Sequence, residues 1–324
     1  MLVNPHPYGR DRYSPLNNKP WPNMLSGSAL RNLVDADMLV YSAGFAIEHC
    51  EYFVYGPRGD VVFHCDGKEK FNRWKKTQTA EQLESYSYDE APWIEPFDKA
   101  GLIINQRAKA ISNAARTKKQ SWYLTKGSTL WRNEDATIQE YKGNRKEMRK
   151  PQAYDFIREY MQERFHAKVL EGLEADDGVA ALARENPGQV IITSGDKDLK
   201  TIPGLHLNPS RPAIEQGVVF ISELEACRNL YVQMLMGDRI DNIKGLSGDK
   251  HRPGWGITKA RKAMEQFICE GDMAEFVANQ YRLTYPSGVI GYGGEHLTWQ
   301  EMLVETANLL FLRRYHETQF TWES

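Results

Sequence analysis

Apolar runs bounded by turn residues recur along the chain and predict the strands of a sheet. LV stands at 33–34, SWYL at 121–124 and QVIIT at 189–193. The third run is β-branched and uninterrupted, which is typical of a strand covered on both faces. These runs therefore predict the buried strands of an α/β domain.

Segments with helical spacing separate or follow these runs. Apolar residues recur at helical intervals in 100–115, one short helix fits between 174 and 189, and further helices are predicted at Leu224–Met236 and 305–314. Strands that alternate with helices form βαβ units and pair in parallel. We therefore expect a mostly parallel central sheet flanked by helices. Residues 1–30 are rich in proline and lack periodicity, which predicts an irregular arm.

Composition narrows the class of protein. The chain has 324 residues, 41% of them hydrophobic, which suffices for one large or two ordinary domains. No apolar run of about 18 residues and no leader-like segment are present, so we expect a cytoplasmic protein without a membrane span. Its four cysteines form no Cys-x-x-Cys pair, which argues against zinc and a disulfide framework. A net charge of -2 still permits a basic groove beside an acidic pocket.

Acidic residues gather at the ends of the predicted strands and helices. The stretch GLEADDGVAAL at 172–182 crowds three carboxylates before a buried helix face. Helix capping explains one or two of them, but carboxylates held together at the edge of a core repel one another unless a cation balances them. Four such groups occur: Asp35 with Asp37; Glu174, Asp176 and Asp177; Asp196 with Asp198; Asp238 with Asp241.

Carboxylates distributed in this way suit a hard divalent cation. Mg²⁺ prefers oxygen ligands and is bound by carboxylates directly or through water. Two ions about 4 Å apart can clamp the attacking and leaving oxygens of a phosphodiester. Because the carboxyl ends of parallel strands share one edge of the sheet, we expect these acidic residues to meet there.

The motifs in this order resemble those of the 5′-nuclease superfamily, which includes phage 5′-to-3′ exonucleases, flap endonucleases and the 5′-nuclease domain of bacterial DNA polymerase I. The likeness covers about 31–265 and is greatest to the phage exonucleases. It implies a PIN-like fold, with an arm at 1–30 and one domain at 31–324 that contains a helical arch (about 126–170) and a helix-three-turn-helix subdomain (about 224–268). The motifs are LVDAD at 33–37, EYKGNR at 140–145, GLEADDGVA at 172–180, TSGDKDL at 193–199 and MGDRIDNIKGLSG at 236–248.

The resemblance also implies a set of metal ligands. They would hold two Mg²⁺ ions, with Mn²⁺ as a substitute: Asp35, Glu174, Asp176, Asp177, Asp196, Asp198, Asp238 and Asp241. Lys142 and Arg145 match the catalytic cations at the scissile phosphate. For Asp37, a structural role and a metal role stay open. Thr125 stands where relatives often have Asp, so either one outer carboxylate is missing, or Asp135 or a water substitutes for it.

A second implied set would bind the DNA backbone. Glycines allow close approach to phosphates, and basic side chains add electrostatic affinity. The set comprises Lys146, Gly245, Gly248, Gly254, Gly256, Lys259, Arg261 and Lys262. The family loop also carries a K⁺ ion, and the apparent insertion DKHRP at 249–253 departs from that loop.

These features predict a Mg²⁺-dependent 5′-to-3′ exonuclease or 5′ flap endonuclease. The implied substrate is duplex DNA with a 5′ end or flap, and the RNA of RNA–DNA hybrids. The implied setting is phage replication or recombination, with phage replication proteins, in the host cytoplasm. Two alternatives stay open: a non-catalytic DNA-binding protein of this fold, and a haloacid-type phosphatase using Asp35 and Asp37.

Overall fold

The structure is a computed structural model, and it describes residues 1–4, 11–127, 131–145, 148–210, 213–246, 254–312 and 319–323. Lys146, Gly248 and the apparent insertion at 249–253 lie outside these residues. The chain divides into two compact units. Unit 1 comprises Met1–Met38, Ala108–Arg149 and Arg164–Ser324, and unit 2 comprises Leu39–Arg107 and Lys150–Glu163.

The described residues form short strands and longer helices. The strands are β1 (Leu2–Val3), β2 (Arg31–Asp35), β3 (Glu48–Tyr55), β4 (Val61–Asp66), β5 (Ser87–Ile94), β6 (Gln120–Lys126), β7 (Lys168–Glu171), β8 (Val190–Thr193), β9 (Gly204–Leu207), β10 (Val219–Ile221), β11 (Gly237–Asp238), β12 (Ile243–Lys244), β13 (Val289–Ile290), β14 (His296–Leu297) and β15 (Thr321–Trp322). The helices are α1 (Asp37–Ala46), α2 (Lys68–Lys75), α3 (Ala80–Ser85), α4 (Asp98–Ala115), α5 (Trp131–Asp135), α6 (Tyr154–Phe165), α7 (Ala175–Glu185), α8 (Glu223–Met236), α9 (Ile257–Met264), α10 (Glu270–Thr284) and α11 (Trp299–Leu310). None of the helices among these residues is long and apolar enough to cross a lipid bilayer.

The central sheet of unit 1 has the strand order β10-β9-β8-β2-β6-β7. All neighbours are parallel except β9 and β10. Val34 of β2 pairs with Trp122 on one side and Thr193 on the other, so the three strands predicted from the sequence are adjacent. The predicted α/β class with a mostly parallel sheet is confirmed. As expected, β2, β6 and β8 end at the same edge.

Helix α7 covers this sheet because its apolar residues fall on one face. Ala175, Val179 and Ala183 are buried against strand residues of the sheet. Gly178 allows the close approach, since a Cβ atom there would lie 2.3 Å from Cδ1 of Leu170. Close packing of this kind fixes the start of α7, where the acidic residues lie.

A second core of unit 1 lies among α8, α10 and α11. The predicted helix at 224–236 is confirmed as α8. The predicted helix at 305–314 was wrong in its bounds: α11 begins at Trp299, where Thr298 and Glu301 form a capping box, and it ends at Leu310. The arm is also not wholly irregular, because Leu2–Val3 pairs with Thr321–Trp322.

Unit 2 contains a small antiparallel sheet of order β4-β3-β5. Tyr52, Val54, Cys65 and Phe71 form its core, with α2 packed on the strands. No strands were predicted here, because these segments mix aromatic and charged residues without regular alternation. The domain bounds given by the resemblance, the arch and the helix-three-turn-helix subdomain all stay predictions.

Candidate active site

Two clusters of carboxylates lie at strand and helix ends in unit 1. In each cluster, one oxygen atom from every residue lies within 4.8 Å of the others. Oxygen donors at this spacing fit a divalent cation. The first cluster is Glu174, Asp176 and Asp177, and the second cluster is Asp198, Asp238 and Asp241.

The first cluster stands at the start of α7. Glu174 occupies the N-cap position but makes no side-chain capping bond. Instead, the backbone N–H of Ala175 donates to Oγ1 of Thr125 at 2.9 Å. Asp176 and Asp177 follow in the first turn, and consecutive helical residues point about 100° apart. The two aspartates therefore face different surroundings.

Arg132 of α5 is the buried cation of the first cluster. Its side chain is 2% exposed. Its Nη1 donates to Glu174 at 2.8 Å and to Asp177 at 2.7 Å, and its Nη2 donates to the other oxygen of Asp177 at 2.9 Å. The remaining donors reach the carbonyls of Leu309 and Phe311 at 3.0 and 3.3 Å. Every N–H group of the Arg132 guanidinium therefore donates a hydrogen bond.

Two further basic side chains, those of Lys142 and Arg145, approach the carboxylates nearer the surface. The Lys142 ammonium donates to Glu174 and lies 3.9 Å from Asp241. Arg145 forms an ion pair with Asp241. The Tyr141 hydroxyl lies 2.8 Å from a Glu174 oxygen and 3.0 Å from an Asp241 oxygen. These side chains connect the two clusters.

Asp35 lies buried at the end of β2, where the sequence predicted a metal ligand. Its carboxylate accepts a hydrogen bond from the Ser194 hydroxyl at 2.8 Å and another from the Asp37 backbone N–H at 3.3 Å. The Asp37 carboxylate in turn accepts bonds from the backbone N–H and the hydroxyl of Thr125. Asp37 thus brings a carboxylate to Thr125, the position where relatives often have Asp, whereas Asp135 accepts a bond from Gln319.

The second cluster is held by a loop after β8 and by the β11–β12 hairpin. Asp198 accepts a bond from Gln233 at 3.0 Å, and Asp238 pairs with Lys197 at 2.7 Å. Asp196 is exposed, and its carboxylate accepts the Asp198 backbone N–H. The buried carboxylates of the second cluster therefore have the accessible carboxylate of Asp196 beside them.

Several buried carboxyl groups of the site have raised pKa values. Burial, followed by the charge of Asp37, raises the pKa of Asp35 to about 7. Burial, followed by the charge of Asp196, raises the pKa of Asp198 to about 8. Burial and the other carboxylates of the first cluster raise the pKa of Asp176 well above its ordinary value. A bound divalent cation would relieve this repulsion.

Glu174 behaves in the opposite way. Burial alone would raise the pKa of its carboxyl group, but the charges of Arg132 and Lys142 outweigh burial and lower the pKa. Two adjacent basic residues thus keep this carboxylate ionised.

The predicted DNA-binding residues lie partly around one cavity. Gly245, Gly254 and Gly256 line an open cavity of about 560 Å³ that also contains Asp238 of the second cluster. Gly245 has a structural role besides, because a Cβ atom there would lie 2.2 Å from the backbone nitrogen of Gly237. The basic residues predicted on α9 are exposed: Lys259, Arg261 and Lys262.

Sequence analysis missed two basic residues of the site, Arg132 and Lys197. Arg132 stands in TLWRNED, where a single arginine beside a tryptophan gives no periodic signal. Lys197 lies between Asp196 and Asp198, and its position inside an acidic motif is the one signal that could have indicated a partner for Asp238.

Comparison with known proteins gives one curated relative and several solved structures. No family model matches the chain. DNA polymerase I of Bacillus caldotenax is 32% identical over 158 residues, which cover 44% of this chain and 17% of that protein. The match thus spans about a sixth of that relative's length.

The solved structures include a bacteriophage T5 5′-exonuclease with bound zinc (TM-score 0.45, 21% identity, 67% of this chain and 81% of that one). They also include a bacteriophage T5 flap endonuclease in a pseudo-enzyme–product complex with DNA and metal ions (TM-score 0.43, 20% identity, 67% and 82%).

The family suggested by the motifs agrees with the curated match. The acidic motifs lie, in the expected order, at the end of β2, at the start of α7, after β8 and in the β11–β12 hairpin. EYKGNR places Lys142 and Arg145 at those carboxylates. The match to the polymerase over 158 residues therefore supports the resemblance of this chain to the 5′-nuclease superfamily.

Proposed function

We propose that this protein is a divalent-metal-dependent 5′ nuclease that hydrolyses phosphodiester bonds of duplex DNA. The observation that carries this proposal is the juxtaposition of the two carboxylate clusters with Lys142 and Arg145. Carboxylates alone would repel an anionic substrate, and basic residues alone would not hold a metal. Together they suit a reaction at a phosphate.

The donor set fits hard divalent ions. Every possible metal ligand of the two clusters is a carboxylate. Burial and neighbouring carboxylates raise the pKa of Asp176 and of Asp198 among them. The first cluster with Asp35 would hold one Mg²⁺, and the second cluster with Asp196 would hold another. Bound there, the ions would neutralise phosphate charge and lower the pKa of a nearby water. Mn²⁺, which takes the same oxygen ligands, would substitute.

The protein's own residues would orient the reacting groups. Ser194 holds the Asp35 carboxylate, and Tyr141 lies against both Glu174 and Asp241. Lys142 and Arg145 would stabilise negative charge that develops on the phosphate, because donors already in place require no reorganisation.

The glycine-lined cavity and α9 would bind the DNA backbone. Gly245, Gly254 and Gly256 permit close approach, while Lys259, Arg261 and Lys262 add affinity that weakens with salt. The resemblance to the superfamily supports the finer parts of the proposal. These are cleavage from a 5′ end or at a 5′ flap, action on RNA–DNA hybrids, a K⁺ ion at the glycine loop, and a role in phage replication in the host cytoplasm.

The experiment is release of label from a duplex labelled at one 5′ or one 3′ end, with Mg²⁺ or EDTA. We expect Mg²⁺-dependent release of the 5′ label that Asp176→Asn abolishes. The matched control is Asp89→Asn, which changes an exposed carboxylate on β5 and should leave cleavage unchanged.

Other outcomes would contradict the proposal. Duplex binding without cleavage would favour the non-catalytic alternative. Hydrolysis of a small phosphomonoester that is lost in both Asp35→Asn and Asp37→Asn, without release of nucleotides, would favour the phosphatase. Cleavage that persists in EDTA would exclude a metal-dependent reaction.

A further inference from the structure

The two aspartates at the start of α7 differ in their surroundings. Asp177 is fully buried, whereas Asp176 is partly exposed. Asp176 accepts a hydrogen bond from the Asp177 backbone N–H at 2.6 Å. Within the described ranges, no basic side chain forms an ion pair with Asp176, while Asp177 pairs with Arg132.

Both oxygens of Asp177 are engaged. One accepts Nη2 of Arg132 at 2.9 Å, and the other accepts Nη1 at 2.7 Å and lies 3.4 Å from Nε1 of Trp131. This two-pronged arrangement matches the planar fork of a guanidinium to a carboxylate. These bonds and its complete burial direct the Asp177 carboxylate towards Arg132 and away from solvent.

Arg132 must keep its positive charge inside the core. It is almost fully buried, and arginine does not deprotonate in proteins. Its other contacts are one Glu174 oxygen and two backbone carbonyls. Removing one member of a buried ion pair leaves an uncompensated charge, which is strongly destabilising.

We propose that Asp177 is the buried counter-ion of Arg132 and not a metal ligand, and that Asp176 and Glu174 are the metal-facing carboxylates of the first cluster. Asp177 is then a positioning residue: it fixes Arg132, and Arg132 fixes one oxygen of Glu174. The metal part of this inference rests on the proposed function, whereas the counter-ion part stands on the contacts of Asp177. The adjacent residues Asp176 and Asp177 thus have separate roles: Asp177 pairs with Arg132 in the core, and Asp176 faces the metal ion.

The test compares three variants with the wild type: Asp176→Asn, Asp177→Asn and the double variant Arg132→Met/Asp177→Leu. The double variant removes the buried pair while keeping similar volume. Mn²⁺ affinity is measured from the electron paramagnetic resonance signal of the free ion. Stability is measured as the thermal unfolding midpoint in EDTA.

We expect Asp176→Asn to weaken Mn²⁺ binding by about tenfold or more, since a charged ligand is lost, without a fall in the unfolding midpoint. Asp177→Asn should lower the midpoint, because Arg132 remains buried and unpaired. The double variant should regain most of the midpoint and bind Mn²⁺ within about threefold of the wild type, since the net charge near the ion is restored.

The single variant Arg132→Met is a further control, because it removes the bond to Glu174 and keeps Asp177. Mn²⁺ binding by the double variant that is as weak as that of Asp176→Asn, while Arg132→Met binds Mn²⁺ as the wild type does, would overturn the proposal, because Asp177 would then act as a ligand. An unchanged midpoint in Asp177→Asn would also overturn it. Failure of the proposed function would look different: the wild type itself would bind no Mn²⁺, while the unfolding midpoints would still decide the counter-ion role.

Discussion

Two basic side chains neutralise the same carboxylate, one from the core and one from nearer the surface. Arg132 is 2% exposed and bonds to Glu174 at 2.8 Å. Lys142 is 25% exposed and bonds to the other oxygen of Glu174. Both lower the pKa of this carboxyl group. Besides their exposure, the two side chains differ in the number of their other partners.

Arg132 is held by a second carboxylate and two backbone carbonyls, so moving it would break several bonds in the core. The Lys142 ammonium has a flexible stem and rotatable donors, and its other carboxylate neighbour, Asp241, is 3.9 Å away. The inner cation therefore belongs to the fold, and the outer cation can exchange its partner. Glu174 therefore has one permanent basic partner, Arg132, and one exchangeable basic partner, Lys142.

The largest effect is expected where the permanent cation is lost. Arg132→Met should lower the free energy of unfolding by about 3–5 kcal/mol, because Asp177 would remain buried without its partner. Urea unfolding in EDTA measures this. The control is the same substitution at Arg73, whose ion pair with Glu69 is exposed and should contribute little. A loss at Arg132 no larger than at Arg73 would show that the inner pair is not structural.

A buried histidine offers a comparison with Arg132. Its hydrogen-bond partner is a carbonyl and not a carboxylate, so it tests whether burial without a carboxylate suppresses a positive charge. His206 on β9 bonds to the Ile202 carbonyl at 2.8 Å, and burial lowers its pKa to about 4. The unfolded chain takes up this proton near pH 6.5 but the folded chain does not, so the contribution of His206 to stability should fall as pH drops from 6.5 towards 4. Asp35 and Asp198, whose pKa values are raised, contribute in the opposite direction, so the contribution of His206 is the difference between the wild type and a variant without this histidine. We expect this difference to reach about 2 kcal/mol by pH 5.

Urea unfolding at several pH values measures this loss, with His206→Gln as the comparison. Because the variant lacks this histidine, it should gain stability relative to the wild type as the pH falls over that interval. An identical dependence in both proteins would mean that His206 is protonated in the folded state, and that burial without a carboxylate does not suppress a cation here.

The inner and outer residues also differ in how far the sequence predicted them. Lys142 and Arg145 were predicted as residues of the site, because EYKGNR resembles a family motif that contacts the scissile phosphate. Arg132 was not, because its role depends on a contact with Asp177, which lies 45 positions away. The acidic residues were predictable since strand ends of a parallel sheet share one edge.

The fold shows the same division. Strands β2, β6 and β8 and helices α7 and α8 follow from local periodicity and were predicted. The sheet of unit 2 was missed, because Tyr52 and Val54 face its core while Glu51 and Phe53 alternate with them in a mixed pattern. The start of α11 was missed because the capping box at Thr298 precedes the clearly apolar part of the helix.

A smaller effect on stability is expected when an uncharged hydrogen-bonding side chain, Thr125, is changed. Thr125 accepts the N–H of Ala175 and donates to Asp37, so it ties the start of α7 to β6. Thr125→Val keeps the shape but removes both bonds, and should cost about 1–2 kcal/mol in the free energy of unfolding. Thr125→Ser keeps the hydroxyl and should cost less. A larger loss in Thr125→Ser than in Thr125→Val would assign the effect to the methyl group instead.

The smallest effect should come from the exchangeable cation, and it should have opposite signs in binding and in catalysis. Lys142→Met removes a positive charge that competes with a divalent ion for Glu174, so Mn²⁺ binding should tighten by about three- to fivefold, the equivalent of a partly exposed ion pair. Cleavage of a 5′-labelled duplex should nevertheless slow, because charge at the phosphate is lost. Lys126→Met, at an exposed pair with Glu171, is the control and should change neither. If Lys142→Met weakens Mn²⁺ binding instead, Lys142 organises the carboxylates as Arg132 does, and the distinction between permanent and exchangeable cations fails.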